Sequence, residues 1–248
     1  MKPVISIVMP VRNVESTIVE CIDSILAQTF AAWELIVVND GSRDGTPGIL
    51  DSYCARDDRI TVLHLPPVGI VDAPMAGVQV AQGVYLCRMD GDDIAHRERI
   101  ARQVAYLEAN SHIALCGCGV SHIGLEAGEG RLRYLEWINA IRSPEEVTRN
   151  LFVECPIAHP ASLMRRADFD RVGGYQDFGW AEDYDLIMRF AADGLEMANV
   201  EDVLLQWRHS EGRLSMNDSR YSLERFRELK RHYLRRMYLN DWPEFYQW

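Results

Sequence analysis

Apolar residues fall along the chain in two rhythms, and the switches between them outline an architecture. Val4–Met9 is an apolar run interrupted only by Ser6 and closed by Pro10, as expected of a buried strand. Ile18, Cys21, Ile22 and Ile25 then recur at helical spacing, predicting an amphipathic helix from about Glu15 to Gln28. Leu35–Val38 predicts a second strand that runs into the polar turn Asn39-Asp40-Gly41-Ser42. Thr46-Pro47 reads as an N-cap followed by proline, with Ile49, Leu50, Tyr53 and Cys54 on the apolar face of the next helix. Ile60–Leu65 predicts a third strand, Ala73–Ala81 a short helix and Val84–Met89 a fourth strand. A further helix is marked by Ile100, Val104 and Leu107, and another strand by Ile113–Cys118.

Strand–helix alternation at this spacing predicts an α/β fold with parallel strands and helices on both faces of the sheet. Ligands of such sheets sit beyond the carboxyl ends of the strands, where Asp40 and the run Asp90–Asp93 fall. The second half is less regular. Residues from about Gly124 to Asn150 read as a weakly patterned excursion, Pro156–Met164 as a loop leading into a strand, and Glu182–Ala192 as a helix. A terminal helix over Ser222–Tyr238 precedes an aromatic tail containing Trp242, Phe245 and Trp248. There are no repeats and no low-complexity linker, so one domain is the simplest count.

Composition changes this picture little. The formal net charge of −11 argues against nucleic acid as the main partner, since phosphate binding leans on a basic surface. Cys21, Cys54, Cys87, Cys116, Cys118 and Cys155 form no CxxC pair, and reduced, buried thiols are expected, in keeping with a cytoplasmic location. No apolar run approaches the ~20 residues of a membrane span, and Val4–Met9 is too short for a signal-peptide core.

The chemistry lies in the acids. Arg88-Met89-Asp90-Gly91-Asp92-Asp93 follows an apolar strand directly, and three carboxylates in four residues repel one another unless a cation or solvent relieves them. Oxygen donors of this kind suit Mg²⁺ or Mn²⁺ shared with substrate phosphates, although a solvated turn has the same composition. Asp40 could accept the N–H of a pyrimidine base, or serve only as the acceptor of an Asx turn. In Trp180-Ala-Glu-Asp-Tyr-Asp185, Asp183 lies four residues before Ile187 and seven before Phe190, on the apolar face of its helix. That makes it a candidate general base, although acids at a helix start also complement the dipole. Asp185 and Arg189 are expected to form an ordinary exposed i,i+4 pair.

These residues, taken in order, resemble family 2 glycosyltransferases of the GT-A fold. The likeness runs through ISIVMPVRN (5–13), SILAQTF (24–30), WELIVVNDGS (33–42), RMDGDD (88–93), HPASLMRR (159–166), Gly173-Gly-Tyr175 and Glu182-Asp-Tyr-Asp-Leu186, so it covers most of residues 4–215. It implies a Rossmann-like three-layer αβα architecture with a mostly parallel central sheet. It also implies an inverting transfer from a nucleoside-diphosphate sugar, UDP-sugar favoured, to an acceptor hydroxyl in surface polysaccharide or glycolipid assembly. By the same resemblance Pro10 and Val11 line the nucleotide pocket, Asp40 contacts the base, and Arg88 and Asp90 lie on the donor side. Asp92 holds the metal, and Asp183 deprotonates the acceptor with support from Glu182. His159, before Pro160, would contact acceptor or phosphate, or be structural.

Two departures stand out. The family often carries Arg-x-His in a late loop, where the histidine helps hold the metal. Here Arg208-His209-Ser210 brings His209 one residue early, and Ser210, counted back from Ser215, takes the usual place. Met75 stands where an asparagine is expected in the helix before Gly77. A catalytically silent nucleotide-sugar-binding module is the alternative reading. A phosphatase of the haloacid dehalogenase type fits poorly, because Asp93 and Ile94 follow Asp92 and no hydroxyl stands two residues after it. A nucleotidyltransferase lacks its Gly-rich, basic triphosphate loop.

Residues 1–215 are thus expected to form the GT-A domain, with 216–248 as an amphipathic helix and tail packed on it. From Arg220 to Asn240 seven basic residues (Arg220, Arg225, Arg227, Lys230, Arg231, Arg235 and Arg236) face two acids, Glu224 and Glu228. Phe226, Leu229, Tyr233 and Met237 give the segment an apolar side. It could pack on its own domain with a solvated basic face, lie on the inner face of a membrane as a peripheral contact, or join a homodimer.

Overall fold

The computed structural model describes residues 3–210 and 218–239. The aromatic tail and the expected boundary at 215/216 lie outside these residues. One eight-stranded sheet forms the centre, in the order β3-β2-β1-β4-β7-β6-β8-β5. Its first strands are β1 (Ile5–Val11), β2 (Trp33–Asp40), β3 (Ile60–Leu65) and β4 (Tyr85–Arg88), all parallel. β1 and β2 are mostly apolar and almost wholly buried because both of their faces are covered. Two strands run against the rest: β7 (Leu163–Arg165), between β4 and β6, and the two-residue β5 (Ile94–Ala95), on the edge beside β8. β6 (Ile113–Gly124) and β8 (Glu196–His209) are parallel to each other.

Alternation along β1 and β2 separates two cores. Ile5, Ile7, Met9, Leu35 and Val37 pack beneath α1 (Ile18–Leu26), α2 (Thr46–Cys54), α4 (Arg99–Ala109) and α5 (Glu129–Ala140). Val8, Leu86, Leu115 and Met164 pack on the other face, beneath α3 (Asp72–Val80), α6 (Pro144–Asn150), α7 (Arg166–Arg171), α8 (Glu182–Ala192) and α9 (Leu223–Tyr238). This is a three-layer αβα arrangement around a mostly parallel sheet. Gly77 lets α3 lie close over β1 and β2: a Cβ there would stand 2.7 Å from Val8 Cγ1 and 3.0 Å from Val38 Cγ2.

Several expectations change. The weakly patterned excursion holds α5 and α6, and α6 opens on a full capping box between Ser143 and Glu146. The strand expected over Ile113–Cys118 runs on to Gly124, and the late loop of Arg208 and His209 is the end of the 14-residue β8. Thr46 is the first residue of α2 rather than its cap, and its hydroxyl accepts the Val14 N–H at 2.9 Å. All six cysteines are free of disulfides, and Cys21, Cys87, Cys116 and Cys118 are buried, whereas Cys54 is exposed. No helix among the described residues is long and apolar enough to cross a membrane.

Asp185 and Arg189 are the sharpest correction. The pair is not exposed: Asp185 is fully buried and Arg189 nearly so. Asp185 accepts from Arg189 Nε at 2.7 Å, from Trp180 Nε1 at 2.9 Å and from the Tyr233 hydroxyl at 2.8 Å. The reason is α9, which lays Leu229 and Tyr233 over α8 and leaves that helix no solvent side.

Candidate active site

β2, β1 and β4 are neighbours in the sheet, so their carboxyl ends bring Asp40, Pro10–Val11 and Arg88–Asp93 to one edge. The loops beyond β1 and β2 are stitched together. Asn13, at φ 52°, accepts the Arg43 N–H at 2.8 Å, and its own N–H donates to Ser42 Oγ at 2.9 Å. Val11 is buried under the acidic turn, where a Cβ on Gly91 would stand 2.6 Å from its Cγ1. Asp40 uses its carboxylate on the loop after β3, accepting from Val68 N at 2.6 Å and Gly69 N at 3.2 Å. It therefore shapes the wall at the end of β2.

The acidic turn is held from several sides. Asp90 Oδ1 accepts from Arg88 Nε at 3.0 Å and Nη2 at 2.8 Å. Asp93 is fully buried, and its Oδ1 accepts the Arg208 N–H at 2.8 Å. Arg208 also donates from Nε to the Asp92 carbonyl at 2.6 Å and pairs with Glu20. The alternation of β8 sends His209 to the opposite face of that strand, with its ring 5.9 Å from that of His122. Beneath the turn, burial and then the charges of Asp93, Asp92 and Asp90 push the Cys21 thiol well up, so negative charge is concentrated here.

That concentration bears on a divalent ion. The donors are carboxylate oxygens, the chemistry Mg²⁺ and Mn²⁺ favour, and Asp92 is only partly buried. No group of three or more His, Cys, Asp or Glu among the described residues could hold an ion unaided. One or two carboxylates completed by phosphate oxygens and water is the usual way such ions sit beside a nucleotide. The residues fit that kind of site and not an all-protein cage.

Across from the turn, α8 begins with Glu182 and Asp183. Arg88 is buried, and Asp90, Tyr175 and Glu182 all lie near enough to raise the pKa of its guanidinium against the effect of its burial. Burial pushes Asp183 up to about 6; the Tyr184 N–H, donating to its Oδ1 at 2.7 Å, opposes this, while the charge of Asp90 adds to it. Burial and then the Asp183 charge push Glu182 up to about 8, opposed by the Tyr221 hydroxyl, which donates to its carboxylate at 2.9 Å. Both carboxyls of the pair are thus pushed up, chiefly by burial.

His159 is pushed down to about 3, first by burial and then by Arg88, and its Nε2 shares a 2.7 Å hydrogen bond with the Tyr175 hydroxyl. Its neutral ring joins the His-Pro and Gly-Gly-Tyr segments beside Arg88. Met75 lies against the same turn, since a Cβ on Gly174 would meet its Sδ at 3.1 Å.

Three contributors escape a reading of the sequence. Tyr221 reaches Glu182 across 39 positions with no motif to announce it. Arg208 braces the acidic turn, although the family pattern draws attention to its neighbour. Arg99, fully buried, donates from Nη2 to the Arg88 carbonyl at 2.9 Å and from Nε to Gln103 at 3.1 Å. Its only signal is a polar pair, Arg99 and Gln103, on a helix face that is otherwise apolar.

The raised carboxyls carry a stability prediction. A carboxyl with a folded pKa above its unfolded value of about 4.3 stabilises fully below that value, and the contribution is lost as pH rises through the folded pKa. Glu182→Gln is therefore expected to raise Tm over the wild type above about pH 8, and to bring no such gain near about pH 4. Thermal melts across pH check this; a Tm difference constant with pH would contradict it.

Comparison with known proteins identifies the family and the fold. The model of the family described as Glycosyl transferase family 2 matches residues 6–173. The chain is 30% identical over 227 residues to EpsE of Bacillus subtilis (strain 168), covering 90% of this chain and 79% of that one. It is 28% identical over 193 residues to the amylovoran biosynthesis glycosyltransferase AmsE of Erwinia amylovora, covering 76% of this chain and 69% of that one. Among solved structures, S. aureus TarS 1–349 in complex with UDP-GlcNAc superposes with a TM-score of 0.75 at 20% identity, over 95% of this chain and 66% of that one. The mannosyltransferase PcManGT of Pyrobaculum calidifontis, in complex with GDP-Man and Mn²⁺, gives 0.67 at 18% identity, over 86% and 59%.

Proposed function

Since the chain belongs to glycosyltransferase family 2, we propose that it moves a sugar from a nucleoside-diphosphate sugar, a UDP-sugar first, to an acceptor hydroxyl in surface-polysaccharide or glycolipid assembly, inverting the anomeric carbon. The observation that supports this most is the meeting of two unlike carboxylate groups. The acids at the end of β4 are held in place by Arg88 and Arg208, and the pair opening α8 is pushed up towards neutrality. One group is braced by cationic side chains and the other is raised by burial, which suits a division of labour between binding charge and moving protons.

In this reading Pro10, Val11 and the loop held by Asp40 take the nucleotide, while Arg88 and Asp90 orient the donor side. Asp92 would carry the Mg²⁺ or Mn²⁺, which when bound offsets the negative charge that builds on the departing diphosphate. Asp183 takes the proton of the acceptor hydroxyl at its carboxylate as the oxygen attacks from the face opposite the diphosphate, and that single displacement inverts the centre. Glu182, protonated and hydrogen-bonded to Tyr221, keeps a second negative charge away from the base. The names of AmsE, in amylovoran biosynthesis, and of the TarS complex with UDP-GlcNAc support the choice of polysaccharide and UDP-sugar.

A thermal-shift screen of nucleoside diphosphates and their sugars, with and without Mn²⁺, tests the proposal. The expected result is stabilisation by uridine diphosphate species that grows when Mn²⁺ is present. A shift with none of the nucleotides under either condition would contradict it.

A further inference from the structure

α9 shows two faces of different character. Leu229 and Tyr233 are buried against α8, with Phe226 and Met237 partly buried beside them, so the apolar stripe is already spent on the protein's own core. The opposite face carries Arg227, Arg231 and Arg235 at four-residue intervals, all exposed. None of the three has an ion-pair partner among the described residues. The other basic groups of this region are engaged elsewhere: Arg225 pairs with Glu228, Lys230 donates to the Val153 carbonyl, and Arg220 lies beside Asp177 and Asp218. Arg231 and Arg235 also line an open groove with Glu228, His232 and Arg236. Leu223, Leu234 and Tyr238 stand exposed along one flank.

We propose that this outward arginine row of α9 docks the enzyme on an anionic lipid surface, held by charge and not by insertion of the helix. Charge complementarity selects the occupant. In a chain of net charge −11, the segment from Arg220 to Asn240 holds seven basic residues and two acids, so the field is positive where the rest of the molecule repels anions. The burial of the apolar stripe excludes the usual interfacial mode, in which that stripe enters the acyl boundary. What is left is electrostatic, weakened by salt within a Debye length and only modestly helped by the apolar flank. α9 is fastened to α8 through Tyr233 and Asp185, so docking would fix the orientation of the helix that begins with Glu182 and Asp183. The inference rests on the helix itself and not on the proposed transfer reaction.

The test is co-sedimentation of the full chain with vesicles of phosphatidylglycerol mixed with phosphatidylcholine, and with phosphatidylcholine alone, at low and high salt. Binding is expected only to the anionic vesicles, with release at high salt. The triple variant Arg227→Gln/Arg231→Gln/Arg235→Gln, with unchanged circular dichroism, should partition on the order of a hundredfold more weakly. Leu223→Ser/Leu234→Ser should lose far less. Equal binding to neutral vesicles, or a larger loss from the leucine variant than from the arginine variant, would overturn the proposal. So would a dimer in sedimentation velocity that the arginine variant dissociates without any lipid present.

Discussion

Asp183→Asn is expected to lower sugar transfer by about 10²–10⁴ while leaving donor affinity unchanged. Asparagine keeps the shape of the side chain and can still accept the Tyr184 N–H, so the start of α8 should hold its geometry. What it loses is the ability to take a proton. The choice of Asp183 over its neighbours follows from basicity: a general base works best with a pKa near the working pH. His159, pushed down to about 3, is a poor base, whereas Asp183 at about 6 is well placed. Wild-type turnover should accordingly fall as pH drops through about 6, and the variant's residual rate should lose that dependence. Turnover and donor titration, measured side by side, check both halves. A variant with near-normal turnover would move the base elsewhere.

The second large effect is on stability. Asp185→Ala is expected to cost about 3–5 kcal/mol, read from denaturant unfolding. The substitution leaves the Arg189 guanidinium buried without its carboxylate and removes the acceptor of both Trp180 Nε1 and the Tyr233 hydroxyl. An exposed i,i+4 pair would cost only a few tenths of a kcal/mol. A loss of that smaller size would show that α9 does not cover α8 in solution.

This pair also marks where sequence reading stops. Four-residue spacing looks the same on a solvated helix and on a buried one, and only the cover supplied by α9 tells Asp185 apart from a surface acid. β1, β2 and β4 were legible because strands buried on both faces are mostly apolar runs. β8 was not, since Glu196, Glu201, Asp202 and Arg208 interrupt any period along it. α5 hides because it buries only Leu135 and Ile138, although Ser143 and Glu146 do carry the signature that opens α6. At the site, the acids could be singled out from their strand-end and helix-start positions. Tyr221 could not, because its partner Glu182 is 39 positions away and the contact exists only once the layers close, and Arg99 left only the faint signal of a polar pair with Gln103 on an apolar helix face.

The account turns on the acidic end of β4 receiving an ion together with a diphosphate. The most direct measurement is calorimetric titration of uridine diphosphate into wild type and Asp92→Asn, with and without Mn²⁺. The wild type should bind more tightly with Mn²⁺, and the variant should show the same weak affinity under both conditions while keeping the wild-type Tm. An Asp92→Asn protein that retained the full Mn²⁺-dependent gain would contradict the account.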